Sequence, residues 1–235
     1  MWKALAFKEL RECLGIAAIA LAACLYLVAR NTGWEVGTLG SLTEWVVQLG
    51  GLHIYRGRVD DIPFVNAELP VQLGFVLALF ATALGFRQTV GESLHGTYPL
   101  LLHLPVPRLR LLYAKLSLGL AIYMACGAVP ILLYSVWAAT PGTHASPFYW
   151  SMTVPTWISW FSMSCVYLAA FLSGLRPARW YGSRLAPLAA GVPPLFVAYG
   201  VGSYLYWWAS IPIVLLSGAI LVIGIQQVAQ DRDFS

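Results

Sequence analysis

Long apolar runs broken by short polar stretches dominate the pattern of this chain. The first run covers about residues 13–29, the second 67–86 and the third 116–139. The fourth follows Pro155 and ends near Leu175. The fifth starts near Leu185 with Pro193 and Pro194 in its middle. The sixth leaves an aromatic turn (Tyr204, Tyr206, Trp207, Trp208) and ends near Val228. Each run is close to the ~20 residues that a helix needs to cross the hydrocarbon core of a bilayer. The pattern predicts an all-α integral membrane protein: six transmembrane helices in one domain, residues 1–235, with no soluble module.

The polar breaks are patterned too. Residues 1–12 place Trp2, Ala6, Leu10 and Cys13 on one helical side and Lys3, Lys8, Arg11 and Glu12 on the other, which predicts an interfacial helix lying in the headgroup plane. Glu9 and Glu12, directly before the first apolar run, argue against a signal peptide. Within the first run, Ala18 and Ala22 sit four apart, a spacing that suits either close helix approach or a lipid-facing surface. The outer connection, residues 31–63, is the longest, and 42–52 within it reads as a short amphipathic helix with Trp45 at the interface. Pro130 predicts a kink in the third span, tolerated inside a bundle. Tyr149, Trp150, Trp157 and Trp160 read as an aromatic belt.

Charge orients the pattern. Eleven basic residues fall on one side of the expected membrane (Lys3, Lys8, Arg11, Arg87, Arg108, Arg110, Lys115, Arg176, Arg179, Arg184, Arg232) and three on the other (Arg30, Arg56, Arg58). By the positive-inside bias, both termini and the 87–115 connection are expected in the cytoplasm, with the protein integral to the plasma (inner) membrane. Composition agrees, since 59% of residues are hydrophobic and only 10% charged, against about 25% charged for a soluble domain. The net charge of +4 follows topology and forms no nucleic-acid stripe.

Catalytic and metal motifs are missing from the sequence. Gly91-Glu92-Ser93-Leu94-His95 has the wrong fifth residue for a serine-hydrolase elbow. His53, Asp60 and Asp61 fit no zinc or calcium loop. Cys13, Cys24, Cys126 and Cys165 have no CxxC spacing and read as small packing residues. No expected span carries a charged residue or histidine near its centre, so no proton relay is evident. The only lysines are Lys3, Lys8 and Lys115, and none lies in a phosphate-binding loop. No catalytic residue, metal site or bound cofactor is therefore expected.

What stands out is the connection 87–115. Gly96 and Pro99 divide it into short pieces, and Tyr98, Leu101 and Leu102, with Pro105, share one side of a short helix. Such an apolar knob suits either a soluble partner or the lipid headgroups. The order Glu92, Gly96-Thr97, Leu101-Leu102, Pro105, Arg108, Lys115 resembles the first cytoplasmic loop of permease subunits of type-2 ABC exporters. Phe7-Lys8-Glu9-Leu10-Arg11 is similar to that family's amino-terminal interfacial helix, and Arg232-Asp233-Phe234 to its ending.

The resemblance implies a cytoplasmic coupling helix between spans two and three, with Glu92, Gly96, Thr97, Tyr98, Leu101 and Leu102 seated on a separate ABC ATPase dimer. Glu92 would cap that helix or pair with a basic residue of the partner. ATP would be bound by the ATPase, and Arg108, Arg110 and Lys115 would anchor the inner interface. It also implies a second permease subunit, identical or paralogous, and export by alternating access, with the bend at Pro193 and Pro194 on the transport path. Two features depart from the family: the 199–208 stretch leaves little room for an outer hairpin, and Pro99 interrupts the coupling helix. Charge-free aromatic spans favour an apolar or amphiphilic cargo. A haem-exporter-type permease, a non-transporting membrane scaffold and a lipid-acting enzyme remain as alternatives.

Overall fold

The computed structural model describes residues 2–32, 62–65, 68–94, 108–144, 146–176, 181–196 and 207–231. Within these the elements are helical, with no strand. In lipid every backbone amide and carbonyl must find a partner within the protein, and a helix supplies those bonds within one segment.

The helices are α1 (Trp2–Asn31), α2 (Glu68–Leu94), α3 (Arg108–Ala139), α4 (Val154–Ser162), α5 (Ser164–Leu175), α6 (Tyr181–Phe196) and α7 (Trp207–Asp231), with a 3-10 turn at Trp150–Thr153 leading into α4. Among the described residues, five stretches are long and apolar enough to cross a membrane: Phe7–Asn31, Leu69–Gly91, Leu109–Ala139, Trp150–Leu175 and Ser210–Gln230. The fifth expected span is described only in part. Its helix, α6, has 16 residues, with Pro187, Pro193 and Pro194 inside it. The residues on either side of it, 177–180 and 197–206, lie outside the described set.

The bundle is built around α5. All twelve of its residues are buried, and it packs against α2, α6, α7 and α3. Small residues set the spacing. A Cβ at Gly85 of α2 would fall 2.8 Å from Ala170 Cβ and 2.9 Å from Phe171 N, so only glycine lets these two backbones meet. On the far side, α7 presents Ser210, Val214, Leu221, Ile225 and Ala229 to the core. Its remaining large apolar residues, among them Leu215, Leu216, Ile220 and Ile223, face outward, as a lipid-facing surface does.

Several sequence expectations change. Residues 2–31 form one unbroken helix in place of an interfacial helix followed by a span, since nothing between Glu9 and Leu14 breaks the helical pattern. The buried face of α1 is Glu9, Cys13, Ala17, Ala20, Cys24 and Val28, while Ala18 and Ala22 are exposed. Their alanines are thus part of the lipid-facing surface, and the close approach runs along the neighbouring stripe. Pro130 lies inside α3 without ending it. The aromatic belt divides: Tyr149 and Trp150 are exposed, whereas Trp157 and Trp160 turn inward as an edge-to-face pair with ring centres 5.2 Å apart. Tyr123 of α3 donates to the carbonyl of Trp160 at 2.8 Å.

The outer connection at 33–61, with its expected helix at 42–52 and the residues His53, Asp60 and Asp61, lies outside the described residues. So do the turn at 199–206, Arg179 and the tail from Arg232.

Candidate functional site

Four helices converge on a polar cluster near the ends of α2 and α3 that flank the 95–107 connection. Glu9 comes from α1, Gln88 from α2, Lys115 from α3 and Tyr167 from α5, and all four side chains are buried. The sequence places each by helical register. On α3, Leu111, Leu112, Lys115, Leu116, Gly119 and Tyr123 repeat at three- and four-residue steps and form the buried stripe. Lys115 therefore follows its apolar neighbours inward. Glu9 does the same at the start of the α1 stripe.

Lys115 Nζ lies 3.0 Å from Glu9 Oε1, and the two side chains are 1% and 2% exposed. These values separate the pair from Lys8 and Glu12, an i,i+4 pair at 3.8 Å whose side chains are 39% and 30% exposed. The exposed pair is worth only a few tenths of a kcal/mol. The buried pair behaves differently. Its net contribution is small because desolvation offsets the attraction, but removing one partner strands a charge and costs about 3–5 kcal/mol.

Beside the pair, Gln88 links three helices. Its Nε2 donates to the carbonyl of Lys115 at 3.2 Å, and its Oε1 accepts from Tyr167 Oη at 2.7 Å. A carbonyl can only accept, so the amide orientation is fixed by its partners. Tyr167 Oη also lies 3.2 Å from the carbonyl of Leu116. A Cβ at Gly119 would collide with the Tyr167 hydroxyl and the Gln88 amide, so glycine there makes room for the cluster. Thr89 bonds back to the carbonyl of Gly85 at 2.9 Å and packs against Gly174 of α5.

The cluster binds helices together rather than offering a reaction centre. It contains an already neutralised ion pair and a doubly engaged amide. No group of three or more potential metal-ligating side chains occurs among the described residues. The four cysteines are free thiols.

The sequence-predicted site residues are placed as follows. Glu92 lies in the last turn of α2 and Arg108 opens α3, their side chains outside the described set. Gly96, Thr97, Tyr98, Leu101, Leu102 and Pro105 lie outside the described residues. Arg110 is exposed. Lys115 points into the bundle, to Glu9. Pro193 is exposed and Pro194 buried near the end of α6.

Glu9, Gln88 and Tyr167 were missed in the sequence. The expected spans began at 13 and 116, whereas the apolar stretches reach back to Phe7 and Leu109, which takes Glu9 and Lys115 inside. The stripe 9-13-17-20-24-28 was a readable signal for Glu9. The partnership of Gln88 with Tyr167 spans 79 residues and has no local signature.

Comparison with protein-family models, curated proteins and solved structures gives no match.

Proposed function

We propose that this chain is the membrane-spanning permease subunit of an ABC-type exporter, worked by a separate ATPase. Both termini and the 87–115 connection face the cytoplasm in this reading. The observation that carries it is the tie at the root of that connection. Gln88, six residues before the end of α2, bonds to the carbonyl of Lys115, in the second turn of α3, and to Tyr167 of α5. A partner pressing on residues 92–102 would load α2 and α3 together, and Gln88 and Tyr167 would pass that load to the central helix.

ATP would be held by the ATPase dimer and not by this chain. Two permease subunits, identical or paralogous, would pair, with Pro193 and Pro194 on the path between them for an apolar or amphiphilic cargo.

The test is the double variant Leu101→Asp/Leu102→Asp. Burying a leucine is worth about 1.5–3 kcal/mol, so the pair of changes is expected to weaken ATPase association on the order of a hundredfold or more. Membrane abundance should hold, since neither residue belongs to a span. Co-purification of the ATPase and transport are the readouts. Undiminished co-purification would mean that the loop rests on lipid, and the scaffold reading would then stand ahead of the exporter.

A further inference from the structure

The start of α1, up to Leu14, carries the features of two environments. Toward the bundle, Glu9 and Cys13 are fully enclosed. Away from it, Phe7, Leu10 and Leu14 are exposed, with Arg11 exposed among them and the Lys8–Glu12 pair half-exposed alongside. Apolar residues interleaved with basic ones on an outward face suit the headgroup plane of an anionic membrane.

α1 is also a peripheral helix, packing against α2 and α3. Below Cys13 its buried stripe is Ala17, Ala20, Cys24 and Val28, small side chains that belong to the bundle core. Polar contacts hold the rest of the helix: Asn31 Nδ2 lies 3.5 Å from Gln72 Oε1 at the far end, and Cys126 Sγ lies 3.9 Å from the carbonyl of Ala17 just past Gly15. At the near end the bond to α3 is the Glu9–Lys115 pair.

Between the two ends stands Gly15. A Cβ added there would meet no atom within 4 Å, so packing does not require glycine. Its effect is on the backbone, where glycine makes a helix easier to bend than alanine would.

We propose that residues 2–14 are a releasable arm. The Glu9–Lys115 pair latches the arm into the bundle, Gly15 is the pivot, and the released arm lies on an anionic phospholipid surface through Lys8 and Arg11. Release hydrates both charges at once, so neither is stranded in the apolar interior. This inference does not depend on an ATPase.

Cys13 is the reporter, because it is 0% exposed in the latched state. The protein keeps Cys13 alone, with Cys24, Cys126 and Cys165 replaced by alanine, and is reconstituted into phosphatidylcholine or phosphatidylglycerol-rich vesicles. A water-soluble maleimide is then applied to the basic end. Slow labelling is expected in phosphatidylcholine and severalfold faster labelling in phosphatidylglycerol. Glu9→Gln and Lys115→Met should each raise the rate tenfold or more, and the exchange Glu9→Lys/Lys115→Glu should restore most of the protection. Gly15→Ala should lower the rate severalfold in the Glu9→Gln background.

A parallel protein keeping Cys165 alone controls for unfolding, since that thiol lies within the central helix and should stay protected throughout. Loss of Cys165 protection in Glu9→Gln or Lys115→Met would make the pair a general fold requirement and overturn the arm. Unchanged Cys13 labelling in those variants would overturn the latch. Indifference to lipid charge would overturn the surface-bound state, and indifference to Gly15→Ala would overturn the pivot.

Discussion

The two ends of the helical bundle are held by different chemistry. At the basic end, where Arg11, Arg110 and Arg176 are exposed, the ties are the Glu9–Lys115 pair and the Gln88–Tyr167 bond. At the opposite end, beside the Asn31–Gln72 contact, the ties are mostly rings. Phe64 meets Tyr134 edge-on with centres 4.8 Å apart, Tyr134 stacks on Trp137 at 5.3 Å, and Phe148 contacts both Phe64 and Trp150. Ring contacts bury large areas and add a preference for edge-on or offset-stacked pairs. Charge and amide contacts have a defined geometry and can be broken and remade by water. The polar end therefore depends on a few named partners, the aromatic end on packed area.

The largest effect should come from breaking the charge pair on one side only. Glu9→Leu or Lys115→Met alone strands a buried charge, and each is expected to cost about 3–5 kcal/mol. Thermal unfolding of the purified protein in detergent, followed by the burial of Cys165, would measure this.

A smaller loss is expected at the aromatic end. Phe64 is 3% exposed and sits in a turn at φ 64°, with Val65 N bonded to the carbonyl of Ile62 at 3.2 Å. A bulky residue at positive φ is strained. Phe64→Ala should cost about 3 kcal/mol or somewhat more through the lost ring. Phe64→Gly loses the same ring but relieves the backbone, so it should be the milder change by roughly 1 kcal/mol. Equal losses from the two variants would show that the turn stores no strain.

The smallest of the three should be at the amide. Tyr167→Phe removes one donor from Gln88 and is expected to cost about 1–2 kcal/mol. In the exporter reading it should slow transport more than it lowers membrane abundance. Proportional loss of both would reduce Gln88 and Tyr167 to packing.

The apolar runs made most of the architecture legible, because a helix long enough to cross a bilayer declares itself by length and composition alone. The number of spans was less legible. Pro193 and Pro194 looked like a bend within a full span, but α6 is described only over 16 residues with a third proline at Pro187. Register within a helix was harder still. Ala18 and Ala22 have the spacing of a packing face, yet the stripe one position earlier is the one turned inward, and it begins with Glu9. A charged residue near a helix end reads as an interface residue until its partner is known, and Lys115 lies 106 positions away. Gln88 and Tyr167 were invisible for the same reason. The loop residues Gly96, Thr97, Leu101 and Leu102 were legible as a pattern, and their role rests on the proposed partner.

A double-variant cycle on Glu9 and Lys115 tests the central claim most directly, because it separates a buried pair from two independent side chains. Unfolding midpoints are measured for the parent, Glu9→Leu, Lys115→Met and the combined protein. If the two charges neutralise each other inside the bundle, the combined variant should be more stable than either single one and close to the parent, since an apolar pair of similar size replaces an ion pair at little cost. If instead the two losses add, the charges do not meet in the bundle, and the polar tie at the basic end is contradicted.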